Sequence, residues 1–295
     1  MSNKKTDNAI RNLFIEKIYN ICDEKKAEEV FLTYIKSDGT QKDITYRFFG
    51  QKCELLMQKF QKSILHRKDR VLVLTPMSPF GCIAVTALAI SELVSVVLNP
   101  QLPEEELDFL VKKSDISGIV CDEEIYQKYA YKWTQKYPVF NIKTGDLFID
   151  KKYFSEPSKD RDDDVFAILY SSGTTSEPKG VMITYEAQMK SAELLLRAFG
   201  TNNIRYLLVF PMFHVSGFSV FFALFLGEGQ IGLLENTNSI KLMDGFQKYK
   251  PNAFGMVPKV YETFHTKIVS QLNNKKFAMK MLSFCYNGSV VKTKI

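Results

Sequence analysis

The strongest constraint on this chain is an alternation. Short apolar runs rich in β-branched residues recur between longer segments of helical period, the pattern of an α/β fold in which helices cover sheet faces. The runs VFLTYI (30–35), RVLVLT (70–75), VSVVLN (94–99), SGIVCD (117–122), PVFNI (138–142), VFAILY (165–170), RYLLVF (205–210), QIGLLE (230–235) and NAFGMV (252–257) read as strands. Helices are predicted over 47–65, 104–113, 185–199, 240–249 and 259–272. Asp38-Gly39 separates VFLTYI from DITY (43–46) and is a hairpin signal, so one antiparallel pair is expected near the N-terminus.

Size and composition bound what such a fold can be. The 295 residues are 45% hydrophobic and 24% charged, enough apolar material for a large core, which excludes a disordered tail, a collagen-like fibre and a disulfide miniprotein. The 39 Lys+Arg and 33 Asp+Glu leave +6, but cations sit beside acids, as in DEKK (23–26) and KDRDDD (159–164). That is a solvated surface, and no nucleic-acid partner is expected. Cys22, Cys53, Cys82, Cys121 and Cys285 are scattered without a CxxC, so neither a disulfide framework nor a zinc site is indicated and a reducing compartment is expected. The N-terminus MSNKKTDNAI has no apolar h-region, and the longest apolar stretch, in SVFFALFL (219–226), falls far short of the roughly 20 residues that cross a bilayer. A soluble intracellular protein without a transmembrane segment is expected. The most polar stretch, SEPSKDRDDD (155–164), is the best internal boundary and divides the chain into 1–164 and 165–295.

Immediately after VFAILY comes the most informative segment, YSSGTTSEPKGVMIT (170–184). Its hydroxyls supply donors, Gly173 and Gly180 let backbone N–H groups approach an anion, Pro178 stiffens the turn and Lys179 adds a mobile cation. A polyphosphate needs such a set. It is not a Walker A loop, because Lys179 precedes Gly180 and nothing helix-opening follows. A plain Ser/Gly/Thr-rich surface loop between two strands is the alternative.

Tyr170 to Val181 resembles the YSSGTTGxPKGV signature of the AMP-forming adenylate ligases, a family that includes acyl-CoA and 4-coumarate-CoA synthetases, firefly-luciferase-like enzymes and peptide synthetase adenylation domains; Ser176 stands where glycine is commoner. The resemblance continues in order along the chain. DITYRFFGQKCELLMQKF (43–60), VVLNPQLPEEELDFLVKKSDISGIVCD (96–122), FPMFHVSGF (210–218) and VPKVYETF (257–264) are similar to further family segments. The implied fold is the layered mixed-sheet α/β N-terminal domain of these ligases, incomplete here, with 1–164 as a first subdomain and 165–295 as an unfinished second.

The resemblance implies that Ser171, Ser172, Gly173, Thr174, Thr175 and Lys179 cradle the phosphates of ATP, carried with Mg²⁺, while a small-molecule carboxylic acid attacks the α-phosphorus. His214 matches the histidine lining the acid pocket, and Ser216 and Gly217 follow where some aryl-acid members carry bulkier residues. CYNGSVV (285–291) resembles the turn against which adenine packs, making Asn287, Gly288 and Ser289 candidate adenine contacts; a plain strand-end turn is the alternative. CoA is the implied second substrate, and no protein-held metal site is expected.

GEGQIG (227–232) fits GxGxxG but follows a helical segment and runs into a strand, so it reads as a helix C-cap and turn rather than a dinucleotide site. His66 and His265 lie in charged helical contexts, and no metal site is expected at either. Glu104 to Glu106 read as a helix's first turn.

The family's remaining pieces, including the lid domain with its catalytic lysine, are expected beyond a position like Val291, so the C-terminal lid is expected to be absent from these 295 residues. Two expectations follow: the front part of an ATP-dependent carboxylic acid–CoA ligase, or a non-catalytic truncated protein that binds a ligand or partner. The compartment is cytoplasmic or peroxisomal, and the chain ends in TKI rather than a peroxisomal tripeptide.

Overall fold

The computed structural model describes residues 2–23, 26–149, 164–171, 177–200, 203–256, 258, 260–262, 265 and 266. Met1–Phe254 forms one compact unit and Gly255–Ile295 a second. All elements below belong to the first.

After α1 (Ser2–Asp23), β1 (Val30–Ile35), β2 (Gln41–Thr45) and α2 (Tyr46–Gln61), strand and helix alternate through β3 (Arg70–Leu74), α3 (Pro79–Ile90), β4 (Val94–Val97), α4 (Glu104–Lys113), β5 (Gly118–Cys121), α5 (Glu123–Lys128) and β6 (Val139–Asn141). An antiparallel pair, β7 (Val165–Ser171) and β8 (Lys179–Thr184), leads into α6 (Tyr185–Phe199). β9 (Arg205–Leu208), α7 (Val215–Leu226), β10 (Gln230–Leu234), α8 (Ser239–Tyr249) and β11 (Ala253–Phe254) complete the unit. The expected strands form, VFLTYI in full, VFAILY longer by Ser171 and the others with their ends trimmed, NAFGMV most of all; the expected helix 259–272 lies largely outside the described residues.

Two mixed sheets result, in the orders β6-β5-β3-β4-β7-β8 and β11-β9-β10-β1-β2. Among the strands of the described residues, β1–β2 and β7–β8 pair antiparallel and the other pairs are parallel. The expected boundary at residue 164 falls between β6 and β7. Strands from either side of it share both sheets, since β7 joins β4 and β1 joins β10. The β1–β2 hairpin turns at Asp38-Gly39, where Gly39 takes φ +86° and Asp38 accepts from the Thr40 N–H at 2.8 Å.

The first sheet is covered on both faces, which is why RVLVL carries no polar residue after its first. Val71 and Val73 enter one core, Leu72 and Leu74 the other with Leu107, Leu110 and Val111 of α4. The larger core draws on both sheets and contains α3 and α7, whose residues are buried around the helix rather than along one stripe. Its centre is aromatic: Phe222 lies 4.8 Å from Phe166 and Phe225 lies 5.0 Å from Phe31 between ring centroids. Burying one such ring contributes about 1.5–3 kcal/mol.

Helix α1 docks through Phe14, which meets the rings of Phe166 and Tyr185 edge-on at 5.1 and 5.4 Å. One turn earlier the buried Arg11 pairs with Glu92 at 2.9 Å and Asp164 at 3.1 Å, tying α1 to the residue just before β7. GEGQIG is a helix end, as its context implies. Gly227 caps α7, the left-handed position falls on Glu228 (φ 55°), and β10 begins at Gln230. Among the described residues no helix is long and apolar enough to cross a membrane.

Candidate functional site

β7 runs parallel to β4, pairing Ser95 with Ala167 and Val97 with Leu169, so the carboxyl ends of the two strands lie side by side. Ligands of open α/β sheets gather at that edge. β8 returns antiparallel, and Ser171 opposite Lys179 is the last pair before the connecting loop. There the Ser171 hydroxyl donates to the Lys179 backbone carbonyl at 3.4 Å, and the Lys179 side chain is exposed. The base of the Ser/Thr/Gly loop is therefore a closed hairpin with a hydroxyl and an ammonium on opposite limbs. Ser172, Gly173, Thr174 and Thr175 lie outside the described residues, as do Asn287, Gly288 and Ser289.

The second half of the site comes from the other sheet. After β9 the chain turns through Pro211, whose carbonyl accepts from the His214 N–H at 3.0 Å. His214 is the extended residue before α7 and accepts from the Phe218 N–H through its carbonyl. Its ring makes no capping hydrogen bond and rests 4.8 Å from the Phe213 ring. Helix α7 can press on this turn because residue 217 has no side chain. A Cβ there would sit 2.2 Å from the Pro211 carbonyl oxygen and 2.5 Å from that of Phe210.

Ser171 and His214 line one cleft of about 140 Å³ together with Asn99, Leu102, Glu106, Leu110, Tyr170, Pro178 and Phe213. Two residues expected in the acid pocket are not among its walls. Gly217 is buried against the 210–211 backbone, and Ser216 is exposed on the first turn of α7. The glycine's smallness serves the seating of the helix.

Local sequence gave no sign of the α4 wall. The Ser114 hydroxyl donates to the Leu110 carbonyl at 2.6 Å, which leaves its oxygen to accept from the Tyr170 hydroxyl at 2.9 Å. Lys113 Nζ donates to Glu177 Oε2 at 3.0 Å and to the Pro178 carbonyl at 3.1 Å. Gly180 pairs with Tyr170, and a Cβ on it would meet that ring at 3.3 Å, so Gly180 makes room for the tyrosine. The EEEL helix start was legible, but that its third acid, Glu106, would face the cleft was not. Burial pushes the thiols of Cys82 and Cys121 up, which disqualifies both as nucleophiles near neutral pH. Among the described residues no three His, Cys, Asp or Glu side chains converge to hold a metal.

A strand–loop–strand hairpin at the carboxyl edge of a mixed sheet thus shares one cleft with a histidine at a helix start. The family model described as AMP-binding enzyme matches residues 21–290, and the chain belongs to that family. It is 25% identical over 291 residues to long-chain-fatty-acid–CoA ligase 5 of Mus musculus, covering 85% of this chain and 42% of that protein. It is 29% identical over 157 residues to 2-succinylbenzoate–CoA ligase of Bacillus cereus (strain Q1), covering 52% of this chain and 31% of that one. The fold is similar to the O-succinylbenzoate coenzyme A synthetase of Bacillus subtilis solved with ATP and magnesium ion, with TM-score 0.68, 16% identity and coverage of 85% and 64%. It is similar also to a long-chain-fatty-acid-CoA ligase of Archaeoglobus fulgidus, with TM-score 0.72, 19% identity and coverage of 87% and 54%. The chain thus spans less than half the length of the mouse ligase.

Proposed function

We propose that this chain is the AMP-binding part of an ATP-dependent carboxylic acid–CoA ligase. The observation that carries the reading is the shared cleft: Ser171, at the base of the Ser/Thr/Gly hairpin, and His214, from the opposite sheet, line one hollow. Adenylation needs the triphosphate and the acid to meet in line, with donors on the departing pyrophosphate. The segment Ser171, Ser172, Gly173, Thr174, Thr175 and Lys179 supplies hydroxyl and N–H donors and one ammonium for the phosphates. His214 borders the acid's carboxylate, which forms a bond to the α-phosphorus as the bond from that phosphorus to the pyrophosphate oxygen breaks. Mg²⁺ arrives on the triphosphate. CoA is the acceptor in the second half-reaction, as the names of the relatives suggest, and Asn287, Gly288 and Ser289 are assigned to adenine. The residues up to 164 and those from 165 onward are assigned to the two α/β subdomains of that enzyme's large domain, sharing their sheets.

The buried thiols of Cys53, Cys82 and Cys121 fit a reducing interior, and the protein is assigned to the cytoplasm or peroxisome. No specific observation favours the non-catalytic reading.

The test is MgATP affinity. Lys179 is exposed on the first residue of β8, so Lys179→Ala removes the cation without disturbing a core. Affinity for MgATP is expected to fall about tenfold, the worth of a charge-assisted hydrogen bond, with an unchanged unfolding midpoint. Equal affinity in calorimetric titration removes Lys179 from the site.

A further inference from the structure

The cleft's α4 wall does more than enclose space. We propose that the C-terminal end of α4 fixes the gap between the two limbs of the phosphate loop, with Lys113 as the positioning residue for the triphosphate. This rests on the reading of that loop as the phosphate site.

The geometry is a two-point grip. On the outgoing limb, the Tyr170 hydroxyl reaches the Ser114 hydroxyl oxygen at 2.9 Å, and Ser114 is 1% exposed. Its own carbonyl is held by Arg70 at 3.0 Å, so this anchor belongs to the rigid sheet. On the returning limb, the neighbouring Lys113 holds both the Glu177 carboxylate and the Pro178 carbonyl, two residues and one residue before Lys179. Consecutive residues of one helix end thereby grasp both limbs of the same hairpin, on either side of the Ser171–Lys179 pair.

Charge gives Lys113 a second effect. Glu177 puts a carboxylate beside a loop read as binding a polyanion, and like charges there oppose binding. The Lys113 ammonium offsets it. As a surface ion pair, with the two side chains 35% and 73% exposed, it contributes little to folding. Its consequence falls on the ligand, because the loop spans only the few residues between the two anchors.

MgATP affinity of the 295-residue chain, measured by calorimetric titration at two salt concentrations, tests this with Lys113→Ala, Lys113→Arg and the double variant Lys113→Ala with Glu177→Gln. The expected result is about a fivefold loss for Lys113→Ala, near wild-type affinity for Lys113→Arg, and partial recovery in the double variant. The loss should shrink at high salt, and unfolding midpoints should stay together. Wild-type affinity in Lys113→Ala overturns the proposal while the loop reading stands. An undetectable affinity in the wild-type chain overturns both.

Discussion

The two walls of the cleft are built on opposite principles. Helix α7, which presents His214, has no charged residue and sinks into a cluster of phenylalanines with Gly217 wedged against the Pro211 carbonyl. Helix α4 is amphipathic, with three acids in its first turn and two lysines in its last, and meets the loop through hydroxyls and an ion pair. Both helices are seated by packing, α4 through Leu107, Leu110 and Val111, but α4 alone reaches the loop through polar contacts. Changes on the α7 side should therefore alter folding first and binding second, whereas changes to the polar contacts of α4 should alter binding while largely sparing the fold.

The largest expected effect lies in the α7 core. Phe222 is fully buried between Phe166 and Phe218, so Phe222→Ala should lower unfolding free energy by about 3–5 kcal/mol in urea titration, and a loss under 1 kcal/mol would show that the wall is not held by packing. Gly217→Ala comes next. Its methyl would collide with backbone oxygens, which cannot rotate away, so a loss of about 1–3 kcal/mol and a displaced His214 imidazole resonance are expected. On the other wall, Tyr170→Phe removes one hydrogen bond and should cost only about 1 kcal/mol.

The smallest effect concerns a polar tie of the same kind elsewhere. Hydrogen bonds from Ser37 and Tyr34 hold the Glu235 carboxyl below its ordinary range. Because its folded-state pKa is depressed, the stabilisation is present above the unfolded value of about 4.5 and fades as pH falls through the folded one. Glu235→Gln should flatten the pH dependence of the thermal midpoint in that acid window and leave the midpoint near pH 7 little changed; an unaltered slope would detach Glu235 from the acid response.

Strand positions were legible because sheet burial writes itself as short β-branched runs, and Asp38-Gly39 announced its hairpin. Helix α3 was not legible. PFGCIAVTALAI is apolar but for Thr86 because every residue but Phe80 is buried, and a helix without a polar face has no period to read. Helix α1 did carry a signal, the spacing of Arg11, Phe14 and Ile18 along one face, diluted by the charged residues around it.

The sequence by itself determined the family, the α/β class and the chemistry of the loop, since those depend on residue types at short spacing. Only the tertiary structure decided which distant segments form the cleft. The parallel pairing of β4 with β7 brings Asn99 beside Ser171, and the packing of two sheets through α3 and α7 delivers His214 from the other side. It also decided that Gly217 seats a helix, and that Lys113 and Ser114 hold the loop. The Lys113 and Ser114 contacts join residues more than fifty positions apart, and nothing in a local pattern encodes which of many exposed lysines a fold will place beside a given carboxylate.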